Sequence, residues 1–178
     1  MKIYNFTQNI IMKSLGNKIK SASDIKSSIK RIAYQVYENN VDESSLVIAG
    51  IGERGTKLAF LLGEILNSIS SLNLIHVTLE MDKSNPRNTV KCSSPIDHFK
   101  EHSIIIVDDV LNTGSTLIYA VNYFLQIPVK QIDTAVMVNR NHKKFPVKAN
   151  FKGISLSTSL NDHVKVILDG KESGIYLS

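Results

Sequence analysis

The stretch Ile104 to Thr116, IIIVDDVLNTGST, decides the fold. Its first four residues form a continuous β-branched run, the pattern of a strand buried on both faces of a sheet. The run ends at two carboxylates, Asp108 and Asp109, passes through a short polar loop and enters a helical pattern over Thr116 to Leu125. That order puts the loop at the carboxyl end of a strand, where open α/β sheets bind their ligands. Gly114 lets the backbone approach a ligand, while Asn112, Thr113, Ser115 and Thr116 complete a polar loop rich in hydroxyls. The helix start adds unpaired amide hydrogens and a positive dipole end. A phosphate monoester is well satisfied there, and the two acids a few residues upstream suit sugar hydroxyls. Together they predict a phosphorylated sugar as ligand.

Working outward, Leu46 to Ala49 is a short apolar run followed by Gly50-Ile51-Gly52-Glu53-Arg54-Gly55 and a helical pattern through Leu58, Leu61, Leu62 and Ile65. These glycines literally spell G-x-G-x-x-G, and Glu80 follows at a spacing tolerable for a dinucleotide-binding acid. A lone match carries little weight, because any pyrophosphate-contacting loop that leads into a helix needs the same glycines. A Walker B reading of the Asp108 strand lacks its partner, since no G-x-x-x-x-G-K-[ST] occurs in the chain.

Upstream, Ile25, Ile29, Ile32, Ala33, Val36 and Tyr37 recur at helical spacing and predict an amphipathic helix ending near Asn39. Residues 1–22 lack a clear period and are expected to form an arm, with a single domain over 23–178. Strands are expected at Leu74 to Leu79 and Thr134 to Val138. Two more, Val164 to Leu168 and Ile175 to Leu177, flank the turn Asp169-Gly170. Met81 to Phe99, with Pro86 and Pro95, reads as a long loop or hairpin near the site. Strands alternating with helices predict an α/β fold with a mainly parallel central sheet flanked by helices.

At 178 residues, 43% hydrophobic and 21% charged, the composition is that of a soluble globular domain with enough chain to bury its own core. Neither a membrane span nor a secretory signal is legible, so a cytoplasmic location is expected. The single cysteine, Cys92, cannot form an internal disulfide, and no His or Cys cluster has zinc spacing. The formal charge of +5 favours anionic partners such as phosphates or RNA.

The Ile104 to Thr116 string resembles the phosphoribosyl pyrophosphate (PRPP) signature of type I phosphoribosyltransferases: a hydrophobic strand, paired acids and a T-G-x-T loop. RIAYQVYENN, VIAGIGERGTKLA and AVMVNRNHKKFPVKANFKG extend the resemblance, in order, to the pyrimidine operon attenuator/uracil phosphoribosyltransferase family, PyrR. The resemblance implies the type I fold and Mg²⁺-assisted transfer of ribose 5-phosphate from PRPP to uracil, giving UMP and pyrophosphate. It implies catalytic roles for Asp108, Asp109 and Arg54, and a 5′-phosphate loop Asn112, Thr113, Gly114, Ser115 and Thr116. Gly52, Glu53, Arg54 and Gly55 would be the pyrophosphate loop, with a cis peptide at Gly52-Glu53. Val138, Asn139 and Arg140 would border the base, and Mg²⁺ would be bound mainly through PRPP. Arg31, His142, Lys143 and Lys148 would belong to a face for leader mRNA, and the chain would form a homo-oligomer.

The chain departs from that pattern where Gly52 replaces a lysine, Asn139 an aspartate, and Glu80-Met81 a Tyr-Arg pair. Lys83 and Arg87 are the candidate replacement cations. These departures leave two alternatives open: a catalytically weak RNA-binding regulator, and a phosphoribosyltransferase for a purine or orotate.

Overall fold

The computed structural model describes residues 15–82, 84–85, 87–159 and 161–178. Strand β1 (Asn17–Ser21) leads into helix α1 (Ala22–Asn39), β2 (Ser45–Ile51), α2 (Gly52–Ile69), β3 (Asn73–Glu80) and the short β4 (Lys91–Cys92). Then come a 3₁₀ turn (Ile96–Phe99), β5 (Ser103–Leu111), α3 (Ser115–Phe124), β6 (Gln131–Arg140), β7 (Phe151–Leu156), β8 (Val164–Ile167) and β9 (Gly174–Leu177).

Six strands form the main sheet in the order β4-β3-β2-β5-β6-β7, with every pairing parallel except β3 with β4. This is the α/β architecture expected from the alternating pattern. The central strands β2 and β5 are buried almost throughout, which explains why they read as unbroken apolar runs instead of alternating ones. One face of the sheet is covered by Ile25, Ile29, Ile32 and Val36 of α1 and Leu58, Leu62 and Leu66 of α2. The other face packs on Leu117, Ala120 and Phe124 of α3, with Phe99 set edge-on to Phe124 at 5.9 Å between centroids. Covering both faces with helices forces the functional loops to the ends of the strands.

A capping box starts α1: Ser21 Oγ accepts from the Asp24 amide, and Asp24 Oδ2 accepts from the Ser21 amide. These bonds, the Ser21 amide foremost, hold the Asp24 carboxyl below its ordinary pKa.

Two elements differ from expectation. Asn17–Ser21, read as part of an arm, is β1, and it pairs antiparallel with β9 in a second sheet of order β1-β9-β8. Its polar sequence, NKIKS, carries no apolar period because Ile19 alone of its side chains packs on the core and the rest of the strand serves edge pairing. The short β7 was not anticipated; FKGISL carries a glycine, and its weak alternation hides a strand. Val166 and Ile175 of the second sheet join the core beneath α1 and α2, so this small sheet sits as a hood over that face.

Candidate active site

The carboxyl ends of β2 and β5 meet at two glycines. A Cβ on Gly55 would lie 2.6 Å from the Val107 carbonyl oxygen and 3.3 Å from Asp108 Cα. A Cβ on Gly50 would lie 2.3 Å from Thr56 Cα. Only glycine allows the first turn of α2 to press against the end of β5, and this contact brings the Gly52–Gly55 loop to the two acids.

Asp108 and Asp109 are both buried, with 2% and 5% exposure. Asp108 Oδ1 accepts from the Asp109 amide at 2.9 Å. Arg54, on the first turn of α2, places Nη1 3.4 Å from Asp109 Oδ2, with its own side chain 55% exposed. The cation expected for a departing pyrophosphate is thereby joined to the acid expected at the sugar. The Gly52-Glu53 peptide is trans, contrary to the cis bond expected there. Gly52 adopts φ +59°, and this left-handed residue turns the strand into the helix without a cis bond.

Gly114 takes φ +83° as the N-cap of α3 and makes no side-chain cap hydrogen bond. The Ser115 amide donates to Thr113 Oγ1 at 3.2 Å. Asp108, Asn112, Thr113, Gly114 and Thr116 line a small open cavity at this point. The segment after β6 folds back on the loop: the Lys144 and Phe145 amides both donate to the Thr113 carbonyl, at 2.8 and 3.2 Å.

The expected base-side residues separate into different roles. Val138 is wholly buried and pairs with Val110 and Ile154 across the sheet. Asn139 is buried with its Oδ1 lacking a hydrogen-bond partner. Arg140 is buried, and its guanidinium donates from Nε to Thr158 Oγ1 and from Nη2 to the Ser159 carbonyl, each at 3.0 Å. His142 Nε2 lies 2.7 Å from the Thr158 carbonyl. Arg140 and His142 therefore clamp the connection between β7 and β8.

The cations read as an RNA face do not all stand clear of the fold. Arg31 donates to the Lys152 and Gly153 carbonyls and so fastens α1 to β7. Lys143 and Lys148 are exposed on the segment between β6 and β7. Of the two candidate replacement cations, Lys83 lies outside the described residues. Arg87 lines a separate cleft against α3.

Sequence reasoning passed over three residues. Beside Glu53 and Arg54, Lys57 of α2, Lys165 of β8 and Asp169 line one cleft between α2 and the hood. Lys57 forms an ion pair with Asp169. Lys57 lies one turn beyond Arg54, a spacing that could have drawn notice. Asp169 was read only as a turn residue, and no local signal places it here.

The phosphoribosyl transferase domain model matches residues 16–169. The chain belongs to the phosphoribosyl transferase family. Among its relatives, Bifunctional protein PyrR of Microcystis aeruginosa is 32% identical over 166 residues, 87% of this chain and 93% of that one. Bifunctional protein PyrR of Trichormus variabilis is 32% identical over 169 residues, covering 88% and 92%. Solved phosphoribosyltransferases share the fold at lower identity. The hypoxanthine phosphoribosyltransferase of Trypanosoma cruzi superposes with a TM-score of 0.76 at 15% identity, over 92% of this chain and 97% of that one. That of Staphylococcus aureus gives 0.72 at 18% identity, covering 89% and 86%. Among the described residues no helix is long and apolar enough to cross a membrane.

Proposed function

We infer that this phosphoribosyltransferase moves ribose 5-phosphate from PRPP to uracil, giving UMP and pyrophosphate. The observation that carries the reading is the junction of Arg54 with the buried Asp109, one strand end away from the phosphate loop at Gly114. The 5′-phosphate would rest on the amides and hydroxyls of Thr113, Ser115 and Thr116. Asp108 and Asp109 would accept from the ribose hydroxyls. Their negative charge would favour the positive sugar that develops as the bond to pyrophosphate breaks. Arg54 and the amides of the Gly52–Gly55 loop would receive the departing oxygens, with Lys57 and Lys165 adding cations along the same cleft.

The donor set suits a Mg²⁺ ion carried by the substrate. The buried carboxylates Asp108 and Asp109, hard oxygen donors, would stand near the sugar end of that substrate. Bound in this way, the ion would neutralise charge on the leaving pyrophosphate. Asn139 and the backbone around Val138 and Arg140 would border the base, the Asn139 Oδ1 supplying a buried acceptor that lacks a donor. Self-association into a homo-oligomer and a cytoplasmic setting belong to the same reading.

The test is pyrophosphate release from PRPP with Mg²⁺, run in parallel with uracil, hypoxanthine, guanine, orotate and no base. Uracil-dependent release is expected. Release with another base would keep the chemistry and replace the acceptor, and absence of release with every base would remove the transferase reading.

A second role, nucleotide-sensitive binding of leader mRNA, is favoured by exposed Lys143 and Lys148 on the segment hydrogen-bonded to the Thr113 carbonyl. Arg31 and His142 would border that face through their structural contacts. A shift of leader RNA that responds to UMP would support it, and RNA binding indifferent to Lys143→Ala and Lys148→Ala would count against it.

A further inference from the structure

Tyr119, Asn122 and Tyr123 recur at i, i+3 and i+4 and so share one face of α3, and Gln126, in the turn just past the helix end, extends the same wall. That face carries two phenol rings and two carboxamides and no charge. Opposite it runs the segment Arg87 to Val90, and the two enclose an open cleft of about 280 Å³, close to the lower end of the range of about 300–1,000 Å³ usual for small-ligand sites.

The walls of the cleft are held in place. Asp82 accepts from the amides of Ser84 and Asn85 and from Asn88 Nδ2, which shapes the segment that presents Arg87 and Thr89. Tyr123 stacks edge-on against Phe124 at 5.3 Å. Burial first, and the neighbouring Cys92 second, push its phenol above the ordinary pKa, so the ring is neutral and partly desolvated. None of these residues lines the phosphate-loop cavity or the cleft beneath the hood.

We propose that this cleft is a second binding site, for a nucleotide. A planar heterocycle gains by stacking on a phenol ring, and that contribution is tolerant of which base is present. Asn122 and Gln126 each offer a donor and an acceptor to the edge of such a base. Arg87, whose Nε donates to Asn85 Oδ1 at 3.4 Å, lines the cleft and supplies the planar cation that suits a phosphate. Aliphatic ligands would leave the carboxamides without partners, and a bare anion would leave the rings unused. The site shares its helix with the phosphate loop: Tyr119 and Tyr123 lie about 6 and 12 Å along the axis from Ser115, at ~1.5 Å per residue. Its ligand is either a free nucleoside monophosphate or one unpaired nucleotide of an RNA strand, because both present the same base and phosphate.

The chain contains six tyrosines and no tryptophan, so ring-labelled tyrosine gives a readable spectrum. Tyr119 and Tyr123 are assigned by Tyr119→Phe and Tyr123→Phe. The full chain is titrated with UMP, with GMP and with single-stranded hexauridylate. Saturable shifts of the Tyr119 and Tyr123 resonances are expected, with affinity falling about tenfold in the Arg87→Ala/Asn122→Ala double variant, a loss of one cation contact and one edge contact. Response to UMP or GMP identifies the free nucleotide as the source, and response to the oligonucleotide alone identifies RNA. If neither resonance moves up to millimolar ligand, or if the shifts persist unweakened in the double variant, the cleft is an ordinary surface groove and the proposal fails. An unchanged pattern of the remaining tyrosine resonances shows that the double variant is folded.

Discussion

Arg54 and Asp109 meet across the gap between α2 and β5, with Nη1 3.4 Å from Oδ2, one partner half exposed and the other buried. The pair links the two ends of the substrate expected to lie between them. In the proposed reaction, the acid that would orient the sugar also fixes the cation that would receive the leaving group.

Asp109→Asn removes the negative charge and keeps the shape. The pyrophosphate-release assay should show turnover falling by about 10²–10³-fold, the usual scale for one electrostatic contact in a preorganised site. The far-ultraviolet circular dichroism should be unchanged. Full activity in this variant would remove Asp109 from the chemistry.

Gly55→Ala places a methyl group 2.6 Å from the Val107 carbonyl oxygen. The obstacle is backbone, so relief requires α2 to lift away from β5. Thermal or urea unfolding should show a loss of about 1–3 kcal/mol, the range for overpacking, and activity should fall further than stability because Arg54 moves with the helix.

Gly114→Ala combines a left-handed backbone at φ +83° with a contact of 2.6 Å to Val147 Cγ1. A loss of more than about 1 kcal/mol is expected where alanine must take positive φ. If the loop holds the 5′-phosphate, the KM for PRPP should rise in steady-state kinetics while the other substrate's KM changes little.

His76 lies in α2–β3 packing, its ring stacked on Phe60 at 4.9 Å with an interplanar angle of 4° and its Nδ1 buried without a hydrogen-bond partner. Burial holds its pKa below the ordinary 6.5. The unfolded chain therefore takes up the proton first as pH falls, so stability is full above about 6.5 and declines on acidification towards the folded-state pKa. Urea midpoints measured across this window should show that slope, and His76→Phe should flatten it. Equal slopes in the two proteins would rule the residue out.

The central strands and the loops after β2 and β5 were legible as strand, turn and helix because each segment there does one job. Ile104 to Val107 must be apolar on both sides, Gly114 must take positive φ, and the acids must stand at a strand end; each requirement leaves its mark on the local sequence. The sheet edges were less legible. Asn17–Ser21 and Phe151–Leu156 are edge strands, and an edge asks for hydrogen bonds more than for a hydrophobic period. The engagement of Arg140 by Thr158 and Ser159, and of Arg31 by β7 carbonyls, could not be read at all. An arginine that grips backbone within the fold and one that waits for a ligand are written with the same letter.

The pairing of β1 with β9 sets a timetable. Lys18 and Ser173 make their contact across 155 residues of chain. Closing so long a loop adds little entropy beyond closing a shorter one, since the cost grows only with the logarithm of length. On the ribosome, though, β1 emerges early and has no mate until the far end of the fold is released. The main sheet, with the loops after β2 and β5, is made of residues that precede β8 and β9 and can assemble while the hood is still open. The hood is then the last piece to close, and the newborn protein holds the loops after β2 and β5 before it holds its roof.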